Sequence, residues 1–191
     1  PELKFDSKAT AQGKRLQIRA GRNPDSVRNV DLALRGDRIT FSEKFLNRNL
    51  KLQWRDIQLL DLNTTVTGLP DDMATAMLVS QWRDGGGTVE VRQLRLQWGE
   101  VDITAKGSLA LDERMRLIGA LTAQIKGYEK LIDLAVATGD LRDGGVVATR
   151  AVLSLLAAAG GGILSVPVRL QDGQLFLGPA VIAKLQPLPL D

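Results

Sequence analysis

The chain contains no cysteine and no histidine. Without cysteine there are no disulfides and no thiolate chemistry, although the compartment stays open. Without histidine, the commonest general base and the commonest metal ligand are both missing. A Ser-His-Asp arrangement is therefore excluded. Aromatic residues make up only 4% of the 191 residues, so any core has to be aliphatic. No apolar run reaches the roughly 18 residues that a membrane-spanning helix needs. No signal-peptide pattern opens the chain. Its first residue is Pro1, not Met, and we expect an excised soluble portion of something longer.

What is present is ordinary in bulk. Apolar residues make up 44% and charged residues 25%, as in a globular protein. The length favours one domain over residues 1–191 with a real core. A net charge of +3 gives no reason to expect a nucleic-acid partner. Residues 1–60 hold 13 Lys/Arg against 7 Asp/Glu, and the remainder 12 against 15. That mild asymmetry suits lipid phosphates, but charges this dispersed read first as the solvated face of alternating strands.

Period-two alternation dominates. Val101, Ile103, Ala105, Leu109 and Leu111 share one parity, and Met115, Leu117, Leu121, Ala123 and Ile125 share one parity of the next strand. Each run presents one apolar and one polar face. Short turns at Gly99-Glu100 and Asp112-Glu113 make neighbours antiparallel. The first 68 residues continue the pattern through Leu3, Leu16, Ile18, Val30, Leu32 and Leu34. Arg22 to Asp25 supplies a turn, and Gly36-Asp37 reads as a tight hairpin. Five or six strands are expected there, ending with a short piece at Thr64–Thr67. Parity slips between Trp54 and Ile57, and again between Val91 and Leu94, predict β-bulges. Strands from Ile163, a hairpin at Asp172-Gly173, and Val181 to Leu185 close the chain.

Three segments read as helices, at about 71–83, 127–138 and 145–159. Pro70-Asp71-Asp72 starts the first, because carboxylates suit the unpaired N–H groups of a first turn. The third is apolar nearly all round, which predicts burial against the sheet. The expected fold is a β-rich α+β domain: a large curved antiparallel meander with these helices packed on it.

Chemistry is sparse. Asp71-Asp72 and Asp112-Glu113 sit where helix starts and turns already need them, so neither catalytic nor metal-binding residues are assigned, and no cofactor is expected. The glycine triplets at 85–87 and 160–162 lack the lysine and spacing of phosphate loops and serve to end helices. Arg35-Gly36-Asp37 and Asn63-Thr64-Thr65 match short recognition patterns too cheaply to carry weight. Trp54, Trp82 and Trp98 read as single large core or edge residues.

The last third has a more specific order. Gly107-Ser108-Leu109-Ala110-Leu111-Asp112 leads to a second strand, and Lys126-Gly127-Tyr128 opens a helix. Val166-Pro167-Val168-Arg169-Leu170-Gln171-Asp172-Gly173 then runs to Gly178-Pro179. This order resembles the C-terminal part of an alphaproteobacterial envelope family, domain-of-unknown-function family 2125, which more distantly resembles the AsmA-like proteins. The resemblance implies a periplasmic location, an inner-membrane anchor in the full-length protein, and an apolar groove that accommodates or moves lipid in Gram-negative outer-membrane homeostasis. It carries over no catalytic residue.

On that footing the expected function is non-enzymatic lipid binding or channelling, with lipid or a membrane surface as partner. The expected lining is Val101, Ile103, Leu109, Leu111, Leu117 and Leu121 from the sheet, with Leu153 and Leu156 from the apolar helix. The rival expectation is a scaffold or interaction module whose core is filled by its own helices.

Overall fold

The computed structural model describes residues 2–6, 9–24, 26–41, 56–70, 78–139, 141 and 143–188. Ten strands form one antiparallel sheet in chain order. They are β1 (Glu2–Asp6), β2 (Ala9–Arg22), β3 (Val30–Phe41), β4 (Asp56–Thr67), β5 (Thr88–Trp98), β6 (Val101–Leu111), β7 (Leu117–Lys126), β8 (Leu164–Gln171), β9 (Gln174–Leu177) and β10 (Ala180–Lys184). Helix α1 (Leu78–Asp84) joins β4 to β5, while α2 (Tyr128–Thr138) and α3 (Asp143–Ala159) join β7 to β8. The sheet is open, with β1 and β10 at its edges. Among the described residues, this is the expected β-rich meander with three helices.

Turn chemistry explains the tight connections. Trp98 pairs with Val101 across Gly99-Glu100, with Gly99 at φ 58°. Gln171 pairs with Gln174 across Asp172-Gly173, whose φ values of 53° and 71° are those a two-residue hairpin requires. Gly127 starts α2 at φ 70°, and a Cβ there would lie 2.3 Å from the Glu100 carbonyl oxygen. Helix α2 therefore begins pressed against the β5–β6 turn, which only glycine permits.

Some expectations need correction. Gly36-Asp37 is not a hairpin. β3 runs through it, pairing Leu16 with Gly36 on one side and Gly36 with Leu60 on the other. The Ile39 side chain fills the space that a Cβ at Gly36 would take, and the local irregularity falls instead at Arg38, φ 50°. Among the described residues, the first 68 hold four strands, because β2, β3 and β4 are long, and Thr64–Thr67 is the end of β4; residues 42–55 lie outside the described residues. The first helix is described from Leu78 to Asp84; residues 71–77 of the expected helix lie outside the described residues. So does Trp54, whereas the nearby register shift falls between Ile57 and Leu59. The bulge expected between Val91 and Leu94 is present.

Register aligns the apolar positions in rows that cross the sheet. Ile18, Leu34, Leu62, Leu94, Ala105, Ala123 and Val166 are successive cross-strand partners from β2 to β8. Leu16, Gly36, Leu60, Leu96, Ile103, Ile125 and Leu164 form the neighbouring row. Directly opposed residues project on the same side, so one face is apolar across seven strands. The other face carries rows such as Arg35, Asp61, Arg95 and Thr104, with Arg35 Nη1 3.4 Å from Asp61 Oδ2.

The helices cover this apolar face unevenly. Val101, Ala105, Ala123, Ile125, Leu164 and Val166 of the sheet pack with Tyr128 and Ile132 of α2 and with Leu153 and Ala157 of α3. Along the Ile18 row, exposure falls from 62% at Ile18 to 1% at Ala123. Helix α3 packs on β8 as expected, but only one stripe of it, Thr149, Leu153 and Ala157, is buried. Its outer side, with Val147 77% and Leu155 74% exposed, faces solvent because the helices form a single layer.

Candidate functional site

Beyond the reach of α2 and α3, the same apolar face holds a cleft. Its volume is ≈ 400 Å³, toward the lower end of the roughly 300–1,000 Å³ seen for small-molecule sites. Val66, Val89 and Leu109 form the floor as consecutive partners on β4, β5 and β6. Leu111 and Leu117, paired across the β6–β7 connection, extend it. Leu69 and Ala110 complete the floor, Val79 and Trp82 of α1 form a wall, and Leu188 contributes from the C-terminal tail. Every lining residue among those described is apolar.

The wall is fixed by its own hydrogen bonds. Trp82 is buried, and its Nε1–H donates to the Thr67 carbonyl at 2.7 Å. The ring therefore presents only hydrocarbon to the cleft. It lies on Gly87, where a Cβ would come within 2.1 Å of Nε1. Thr67 and Thr88, at the base of the same strand pair, share a 2.7 Å hydroxyl contact.

Leu111 and Leu117, at one end of the cleft, are joined by the loop between β6 and β7, and Asp112 organises that loop. Its Oδ1 accepts from the backbone N–H groups of Arg114 at 2.9 Å and Arg116 at 2.8 Å. Its Oδ2 accepts from Arg116 Nε and Nη2, each at 2.7 Å. Partial burial pushes the Asp112 carboxyl up, but the hydrogen bonds and charge of Arg116 outweigh it and hold the group below its usual range. Two further parts of the site attach here. Arg83 Nη1 of α1 donates to the Glu113 carbonyl at 3.3 Å and lies 2.8 Å from Met115 Sδ. The Leu188 N–H donates to the Met115 carbonyl at 2.9 Å. Arg83 pairs with Asp84 at 2.6 Å and Arg116 with Asp112, so these two arginines are neutralised at the rim.

The expected lining residues separate into three groups. Leu109, Leu111 and Leu117 line the cleft. Val101 and Leu153, 1% and 0% exposed, belong to the packed core, and Ile103 and Leu121 pack against it. Leu156 is on the outer side of α3. Val66, Val89, Trp82 and Leu188 were not anticipated. Strand parity marks Val89 as apolar-facing, but only the register brings it beside Val66 and Leu109.

Among the described residues, no group of three acidic side chains is placed to hold a metal ion. No helix among them is long and apolar enough to cross a membrane. A second hollow, ≈ 240 Å³ and lined chiefly by polar residues including Arg95, Asp102 and Lys126, lies on the polar side. Among the described residues, the lining of the cleft contributes apolar side chains and carries no nucleophile, acid or base.

No curated protein and no solved structure matches the chain. Residues 2–186 match the model of a family of uncharacterized proteins conserved in bacteria, DUF2125, and with nearly the whole chain spanned, the protein belongs to that family.

Proposed function

We propose that this protein is a non-enzymatic lipid-binding component of the bacterial envelope, taking a lipid hydrocarbon tail into the cleft between α1 and the β4–β7 floor. The observation that carries this reading is the apolar lining that the described residues give the cleft, from Val66, Val89, Leu109, Leu111, Leu117 and Trp82. Burying hydrocarbon there gains roughly 25 cal/mol per Å² of apolar surface and needs no polar catalyst. The resemblance to AsmA-like envelope proteins supports a periplasmic location, an inner-membrane tether in the full-length protein, and a role in outer-membrane homeostasis. Native mass spectrometry of protein purified from bacterial membranes tests the proposal. A co-purifying lipid, displaced by a fluorescent fatty acid, is the expected result. A bare protein mass with no uptake of the probe would end it.

A scaffold is the second reading, favoured by the exposed outer side of α3, where Val147 and Leu155 point away from the core. Apolar patches on soluble proteins commonly mark partner surfaces. Under that reading, Val147→Asp and Leu155→Asp abolish function in cells while leaving lipid uptake unchanged. Loss of function from cleft substitutions alone would reject it.

A further inference from the structure

We propose that the exposed apolar strip on β2 and β3, centred on Ile18 and Leu32, is an outer subsite of the cleft that carries the distal part of a long hydrocarbon tail. The inference rests on the lipid-binding reading above. Its basis is continuity. Val66 lines the cleft and is paired with Val30 of β3. Leu32, two residues along on the same face, is diagonal to Val66, and diagonal neighbours lie roughly 7–8 Å apart. On β2, Ala20 opposes Leu32 and Ile18 opposes Leu34. An unbroken run of apolar side chains therefore leaves the cleft floor and crosses two strand spacings of about 4.8 Å each. Exposure rises along it, from half-buried Val66 to 36% at Leu32 and 62% at Ile18. A lone exposed isoleucine needs no explanation. Here, however, exposed Ile18, Ala20 and Leu32 adjoin one another in the rows whose other ends form the core. Arg19 and Gln17, the charged and polar neighbours of Ile18, alternate to the opposite face. A tail that outgrows the cleft thus has an apolar path to follow.

The test uses lysophosphatidylcholines with decanoyl, tetradecanoyl and octadecanoyl chains, each below its micelle concentration. Each competes with a fluorescent apolar probe for the whole chain. Wild-type affinity is expected to rise at each step, by up to about fourfold per methylene buried. Ile18→Asp and Leu32→Asp are expected to bind the decanoyl chain as wild type does. They should lose most of the gain between tetradecanoyl and octadecanoyl, on the order of tenfold. Equal gains in variants and wild type, or equal loss at every length, would overturn the outer subsite and leave the cleft standing. No binding of any chain by the wild type would instead remove the lipid-binding reading and the subsite with it. A stearate spin-labelled near its methyl end gives a readout free of substitutions. Broadening of the Ile18 methyl signals is expected, and broadening at Leu117 without Ile18 would reject the subsite.

Discussion

The Trp82 indole N–H donates to the Thr67 carbonyl at 2.7 Å, tying helix α1 to the end of β4. This bond satisfies the one polar atom of a buried ring and leaves its hydrocarbon face to the cleft. It also fixes the wall of the cleft relative to its floor, since Val66 precedes Thr67 and Val79 lies one turn before Trp82. Trp82→Phe keeps most of the apolar surface and removes the donor. We expect a loss of about 1–2 kcal/mol, read as a lowered urea midpoint, with hydrocarbon uptake retained. Trp82→Ala removes the wall itself and should cost about 3–5 kcal/mol and abolish uptake. A phenylalanine variant as unstable as the alanine variant would show that the hydrogen bond, not the ring, holds the wall.

Gly87 is the counterpart of that contact. A Cβ there would meet the indole at 2.1 to 2.3 Å, and the ring is anchored too firmly to yield. Gly87→Ala should therefore expel Trp82 from its seat and destabilise by roughly 1–3 kcal/mol. The measurement that distinguishes this from a general loss of stability is tryptophan fluorescence of the folded variant, which should shift to the red as Trp82 meets water. Unshifted emission would show that the backbone moves instead.

Leu117 and Leu153 separate a cleft from a core. Both are expected from the sequence to line the lipid site, Leu117 from the sheet and Leu153 from the apolar helix. Leu117 borders the cleft and is half-buried, whereas Leu153 is fully buried among α2, β8 and β9 residues. Leu117→Asp places its carboxylate where water can reach it and should leave a folded protein that no longer takes up a fluorescent fatty acid. Leu153→Asp buries an unpaired charge and should unfold the chain. Circular dichroism and probe binding on both variants check this, and unfolding of the Leu117 variant would mean that the cleft is part of the core.

This difference marks how far the sequence could be read. Alternation showed which side of a strand is apolar, and that held for Leu16 to Leu34 and for Val101 to Ile125. The slip between Val91 and Leu94 was legible because two parity frames meet there. What alternation could not show is which stretch of the apolar side the helices cover. Val101 and Leu109 share a strand and a parity, yet one lies beneath α2 and α3 and the other beyond them. Gly36-Asp37 misled because glycine followed by an acid suits a turn, while here the missing Cβ makes room for Ile39. Trp82 and Leu188 reach the cleft only through long-range contacts to Thr67 and Met115, which leave no local pattern.

Acid should loosen the end of the cleft before the sheet melts. Asp112 is held below its ordinary value of 3.8 because the hydrogen bonds and charge of Arg116 outweigh the opposing effect of burial. A carboxyl whose folded value lies below its unfolded value contributes stability that is complete above the unfolded value. That contribution is lost as pH falls through the folded one. Protonation removes the ion pair to Arg116 and weakens the loop to which Arg83 and Leu188 are attached. Asp31 is depressed likewise, first by hydrogen bonds from Asn23 and Thr65 and then by Arg92. Its ties join β3, β4 and β5 rather than the cleft, so Asp31→Asn serves as the control. Wild type should be more stable than Asp112→Asn at neutral pH, and the gap should close as pH falls below 3.8. Hydrogen exchange of the Met115 and Arg116 amides should rise over the same interval in wild type and be high at every pH in the variant. A gap that persists undiminished into strong acid would show that the Asp112 side chain acts through its shape and neutral hydrogen bonding, with its charge contributing nothing.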